Sequence, residues 1–170
     1  MTKHLLTVAA SVLAASIATS ARVPAAQTTK PAPQTAATQT DEELARIGEP
    51  LVTKVCNTAC HGLEKLDEMR RTGKDWNDQV GEMANRGATA TAEQFATIKK
   101  YLTRYYGIVE VNSATAAELS AVLGFTDKDA QAIVAYRTAH GKFADADALS
   151  KVPGIDKTKI EEQPDALRFK

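Results

Sequence analysis

Both cysteines of the chain and one of its three histidines fall in a single stretch, Cys56-Asn57-Thr58-Ala59-Cys60-His61. Two thiols followed at once by an imidazole are the set that covalent haem attachment needs. The sulfurs form thioether bonds to the porphyrin vinyl groups, and the imidazole reaches the iron. The usual spacing is C-x-x-C-H; here one further residue separates the thiols. Other chemistries stay open for the same residues. A disulfide between positions i and i+4 is awkward on a helix, yet forms on a loop in an oxidising compartment. Structural zinc needs four ligands, and the sequence has no second Cys/His pair to complete them. Free buried thiols are the remaining reading.

The haem reading asks for a second axial ligand. With Met1 and His4 in a removed leader, the imidazoles are His61 and His140 and the thioethers are Met69 and Met83. Met83 is expected opposite His61, where a thioether stabilises reduced iron; the alternative for it is a gap-filler in an apolar core. Met69 lies in a polar stretch soon after the thiols, and His140 lies far along the chain. An iron held by both His61 and Met83 has no open position. The expectation is therefore one covalently attached haem c, no catalytic residues, and redox proteins as partners.

Elements must position these groups. The chain has 170 residues, zero formal net charge and 44% hydrophobic residues, enough for one domain or two small ones. Such a balance provides no overall field for nucleic acid or an anionic membrane. Lys3 and His4, the apolar run Leu5 to Ile17 and the small residues Ala18 to Ala21 describe a secretory signal peptide over 1–21, with cleavage as late as 26. That run is too short and alanine-rich for a membrane span; an uncleaved anchor is the alternative. The mature chain is expected in the periplasm or otherwise exported, with no transmembrane span. Residues 22–40, rich in Ala, Thr, Gln and Pro, read as a flexible linker.

From Asp41 the spacing is helical throughout. Asp41 is an expected N-cap, with Leu44, Ile47, Leu51 and Val55 on one face and a kink or late start at Pro50. Asp75 is expected to cap a helix carrying Trp76, Val80 and Met83, closed at Arg86-Gly87. Thr91-x-x-Gln94 is a capping box for a helix with Phe95, Ile98, Leu102 and Tyr105, ended by Gly107. A second unit opens at Val111, with a capping box at Thr115-x-x-Glu118, a break at Gly124 and caps at Asp127, Asp145 and Asp156. Helix, glycine hairpin, helix occurs twice there. No segment alternates like a strand, and the mature chain reads as all-α.

Two resemblances follow from these residues. Residues 41–107 resemble a small class I c-type cytochrome domain, through Gly48-x-x-Leu51, Cys60-His61-Gly62, Trp76 to Met83 and Tyr101-Leu102-x-x-Tyr105. This implies first and last helices crossing at Gly48 and one of Tyr101, Tyr105 or Tyr106. Arg70, Arg71 and Lys74 could meet haem propionates or simply face solvent. Residues 111–170 resemble the ComEA-type helix-hairpin-helix pair of exported DNA-uptake proteins. The likeness lies in Val111-Asn112-x-Ala114-Thr115-x-x-Glu118-Leu119, Ala132-Ile133-Val134-x-Tyr136-Arg137, Gly141-x-Phe143 and Val152-Pro153-Gly154-Ile155.

In that family the hairpin amides and a helix N-terminus cradle a DNA phosphate without reading sequence. The corresponding residues here are Gly124, Phe125 and Thr126, and Gly154, Ile155 and Lys157. Both hairpins lack the family's second glycine, and Asp127 and Asp156 stand close by. From Val111 to Lys170 eight Lys/Arg face nine Asp/Glu, a net of minus one, although Lys128, Lys142, Lys151, Lys157 and Lys159 could form a local patch. The leading expectation is therefore an exported electron carrier with a hairpin docking module. The second is an exported DNA-binding hairpin protein whose haem domain is structural or sensory. A third is a gas-binding enzyme subunit or sensor, which would need Met83 off the iron.

Overall fold

The structure is a computed structural model that describes residues 40–57, 62–64, 66 and 68–170. The expected signal peptide, and the expected linker up to residue 39, lie outside the described residues. The described chain is all-α apart from two very short strands. Three helices, α1 (Asp41–Cys56), α2 (Gly73–Asn85) and α3 (Ala92–Tyr106), enclose a first core of Leu44, Val52, Trp76, Val80, Ile98 and Leu102. Four shorter ones follow: α4 (Ala116–Leu123), α5 (Asp127–His140), α6 (Ala146–Leu149) and α7 (Thr158–Glu161). They close over a second core centred on Val111, Leu119, Leu123, Ile133, Leu149 and Val152.

The caps are threonines where aspartates were expected. Thr40, Thr72 and Thr126 precede α1, α2 and α5 and accept from the backbone N–H of Glu43, Asp75 and Asp129. A threonine hydroxyl satisfies an N3 amide directly. The aspartates then sit inside the first turn, where the helix dipole favours their charge. The boxes at Thr91/Gln94 and Thr115/Glu118 form as the spacing indicates, and Asp145 caps α6. Pro50 does not delay α1, which runs through it with that residue exposed.

Helix α1 crosses α3 at Gly48. A Cβ there would lie 2.6–2.7 Å from three carbons of Tyr101, so only a glycine admits this ring at this separation. The second core is tied at its two ends. Strand β1 (Val109–Glu110) pairs in parallel with β2 (Leu167–Arg168), joining entry and exit of the module. The sequence contained no cue for so short a pair, because two residues cannot show alternation.

Candidate functional site

Two places can do chemistry. One is a cavity in the first core and the other is the surface of the hairpin module. The cavity has a volume of about 410 Å³ and almost wholly apolar walls, among them Val55, Cys56, Trp76, Val80, Met83 and Phe95. Cys56 and Met83, expected at a haem, are thus brought to one space, and Met69 also borders it. Cys60 and His61 lie outside the described residues. Burial pushes the Cys56 thiol above its ordinary value, which keeps it protonated and a poor nucleophile. Arg71 and Lys74 have roles of their own. The Arg71 backbone bridges to Gly107 and its guanidinium stands 6.0 Å from the Trp76 ring, while Lys74 pairs with Asp78 at 2.6 Å on the open face of α2. Among the described residues, no group of three His, Cys, Asp or Glu side chains is placed to hold a metal ion.

The hairpin module is fastened by side chains that bond its backbone. Asn112 donates to the Phe143 carbonyl at 3.0 Å and accepts from the Phe143 amide at 2.8 Å, fastening the module's entry to the loop after α5. Arg137 donates from its two terminal nitrogens to the carbonyls of Val111 and Ala114. Those residues carry the family likeness, and their work is to hold the scaffold. Tyr136 stacks between His140 and Phe143, which leads the second core out to the end of α5.

The two hairpins differ. In the first, Gly124 adopts φ +68° and closes α4 by donating to the Ser120 carbonyl. Phe125 is buried in the core and Thr126 is spent on capping α5. In the second, Gly154 turns at φ +80° with open space where a side chain would go. Ile155 is buried, and Lys157 is exposed. Asp156 accepts from both the amide and the hydroxyl of Thr158, at 3.1 and 2.6 Å, and the hydroxyl chiefly lowers its pKa. Its carboxylate thereby covers an amide at the start of α7 that a phosphate would want. Phe125 and Ile155 therefore belong to packing; the outward groups are the glycine backbones, Thr126 and Lys157.

Between the two cores sits a cluster that spacing alone did not reveal. Arg104 of α3 forks onto Asp41, Nε to Oδ1 at 3.0 Å and Nη2 to Oδ2 at 2.8 Å. Its remaining nitrogen donates to the Val122 carbonyl at 3.2 Å and to Gln163 Oε1 at 2.6 Å. Lys159 of α7 reaches the same Asp41 oxygen at 3.2 Å, and Gln163 donates onward to the Leu123 carbonyl. The hydrogen bond from Arg104 is the main reason that the Asp41 carboxyl lies below its ordinary range. Lys159, expected in a patch for DNA, is thus engaged inside the molecule. Positions 41, 104 and 159 share no periodicity, so only the folded chain brings them together.

Comparison with known proteins bears on the module. Residues 105–168 match the helix-hairpin-helix motif family. An uncharacterized protein of Haemophilus influenzae is 42% identical over 62 residues, which is 36% of this chain and 55% of that protein. ComE operon protein 1 of Bacillus subtilis is 33% identical over 63 residues, 37% of this chain and 31% of its own length. The chain thus spans about half of one relative and under a third of the other. No solved structure matches.

These findings correct the leading expectation. The family match falls on the hairpin module and backs the second expectation, a helix-hairpin-helix protein, better than the first. An electron-carrying cytochrome with redox partners finds no counterpart among them. The physical reason is how little a five-to-six-residue motif fixes: its meaning rests on structural context, and a helical core around an apolar space is common to many functions. The chain carries a helix-hairpin-helix module at residues 105–168, joined to a separate three-helix core.

Proposed function

We propose that this protein is an exported DNA-binding protein of the DNA-uptake type, a binder and not a catalyst, that grips the phosphate backbone through its hairpin module without reading base sequence. The observation that carries this is the match of residues 105–168 to the helix-hairpin-helix motif, on a stretch that folds as two successive glycine turns about one core. The 33% identity to ComE operon protein 1 of Bacillus subtilis supports the same reading. Among the described residues no helix is long and apolar enough to cross a membrane.

The charge on the module sets the expected strength. Lys128, Lys142, Lys151 and Lys157 are exposed, whereas Arg137 and Lys159 are bonded within the fold. A footprint of two or three phosphates follows, which is weak binding with shallow salt dependence. With a slope of about 0.9 per phosphate, affinity should fall roughly 10- to 40-fold between 50 and 200 mM salt. Fluorescence anisotropy of the mature chain with duplexes of unrelated sequence checks this. The expected result is equal affinity for all duplexes, lost with salt. Absence of binding even at the lowest salt would refute the proposal.

A further inference from the structure

The Asp41 cluster has the composition of an anion site that already contains an anion. A bidentate guanidinium and an ammonium converge on one carboxylate: Arg104 at 3.0 and 2.8 Å, Lys159 at 3.2 Å. Two cations face one negative charge. The same planar fork fits a phosphate as well as a carboxylate. One cation comes from the three-helix core, Arg104 on α3, and the other from the hairpin module, Lys159 on α7. The Arg104 guanidinium lies against Gly124 of the first hairpin, where an added Cβ would be 2.7 Å from Nη2. Lys159 stands on α7, the helix that follows the second hairpin.

The carboxylate is also the most readily withdrawn member. Arg104 is anchored from behind by the Val122 carbonyl and Gln163, and its side chain is 11% exposed, against 40% for Asp41. Asp41 is the first residue of α1, held there by the Thr40 cap and by the Tyr105 hydroxyl on its carbonyl. First turns fray at small cost. The neighbouring charges limit where an incoming anion can sit. The cleft of about 320 Å³ on the other side of Arg104 is bordered by Arg70 but also by Glu162 and Asp165, which repel anions. The place for an anion is the position of the Asp41 carboxylate itself.

We propose that Arg104 and Lys159 form a phosphate-binding site beside the first hairpin, and that the Asp41 carboxylate is its internal occupant, displaced when a phosphate ester binds. The identity of the ester as a DNA backbone phosphate rests on the function proposed above; the site itself does not. While Asp41 is seated, Lys159 of the module and Arg104 beside it are both engaged and unavailable to an external anion. When α1 frays by one turn the cations are returned to the surface next to Gly124.

The test compares the full mature chain with Asp41→Ala by thermal melting in inorganic phosphate against chloride at matched ionic strength, and by duplex anisotropy. The wild type should melt alike in both salts. Asp41→Ala should melt higher in phosphate than in chloride. It should also bind duplex about tenfold tighter than wild type at 0.1 M salt, with a salt slope steeper by about one. Adding Lys159→Gln should remove both gains. If Asp41→Ala does not fold, Asp41→Asn keeps an acceptor oxygen for Arg104 while dropping the charge, and should shift both readouts in the same direction. A phosphate effect on melting without any duplex binding, in wild type or variant, supports the site and refutes DNA as its ligand. Duplex binding by the wild type that neither Asp41 variant strengthens, with no phosphate effect on melting, overturns the site and leaves the hairpin function standing.

Discussion

Replacing Arg104 by alanine tests what holds the two cores together. The side chain makes four polar contacts: two to Asp41, one to the Val122 carbonyl and one to Gln163. Asp41 is 40% exposed, so solvent screening keeps that ion pair near about 1 kcal/mol. The Val122 carbonyl and the Gln163 amide lose a charged donor, worth on the order of 1 kcal/mol each once water partly replaces it. The expected loss is about 3 kcal/mol. Urea unfolding read by far-ultraviolet circular dichroism measures it, and Trp76 fluorescence reports the first core separately. A double-mutant cycle with Asp41→Ala should return a coupling of about 1 kcal/mol.

The sign of the pH dependence is fixed by the carboxyl. Its folded pKa lies below the ordinary value of 3.8. The stabilisation from this pair is therefore present in full above the unfolded value and disappears as pH falls through the folded one. The coupling should be constant from neutral pH down to the ordinary carboxylate range and vanish only in stronger acid. A coupling near zero at neutral pH would refute the reasoning, as would one that persists after Asp41 is protonated.

Two further outcomes follow from local geometry. Gly124→Ala combines a left-handed backbone with a contact against Arg104, while Gly154→Ala has the left-handed backbone and open space. The first should cost about 2–3 kcal/mol and the second about 1 kcal/mol; equal costs would remove the packing of Arg104 on the first hairpin. In the first core, Ala88→Leu projects new methyl groups toward the cavity beside Met83 and Phe95. It should raise stability by about 1 kcal/mol through apolar burial and reduce binding of an apolar fluorescent dye; a destabilised variant would show that the space is not available to be filled.

Local features were legible where one residue type has one physical use. The two capping boxes, the glycine that closes α4 and the absence of sustained strands among the described residues all follow from hydrogen-bonding capacity or backbone freedom. The resemblance implied that Gly48 meets one of Tyr101, Tyr105 and Tyr106, and the structure places Tyr101 there. The cluster of Asp41, Arg104, Lys159 and Gln163 was illegible because its members come from three distant segments and each looks like an ordinary surface residue in its own segment. Asp41 in particular reads as a cap, and Thr40 performs that role. The electron-carrier expectation shows the opposite error. Cys56, Cys60 and His61 form a conspicuous short motif, and it outweighed a longer and more diffuse pattern of glycines and apolar residues downstream. Information about family resides in the longer pattern.

Similarity to other hairpin proteins begins at residue 105, but the contacts that fix the module begin earlier in the chain. The segment leading out of α3 is clamped from both sides. Arg71 exchanges backbone hydrogen bonds with Tyr106 and Ile108, at 3.2 and 2.9 Å, and the Trp76 indole donates to the Tyr106 carbonyl at 2.9 Å. Two residues before Tyr106, Arg104 reaches the last turn of α4. Trp76 is also a wall of the apolar cavity. A change in what fills that cavity thus meets the same indole that positions the entry to the hairpins. Dense packing passes small displacements on instead of absorbing them. The three-helix core is accordingly part of the hairpin module's support, through the backbone of Arg71 and the side chains of Trp76 and Arg104.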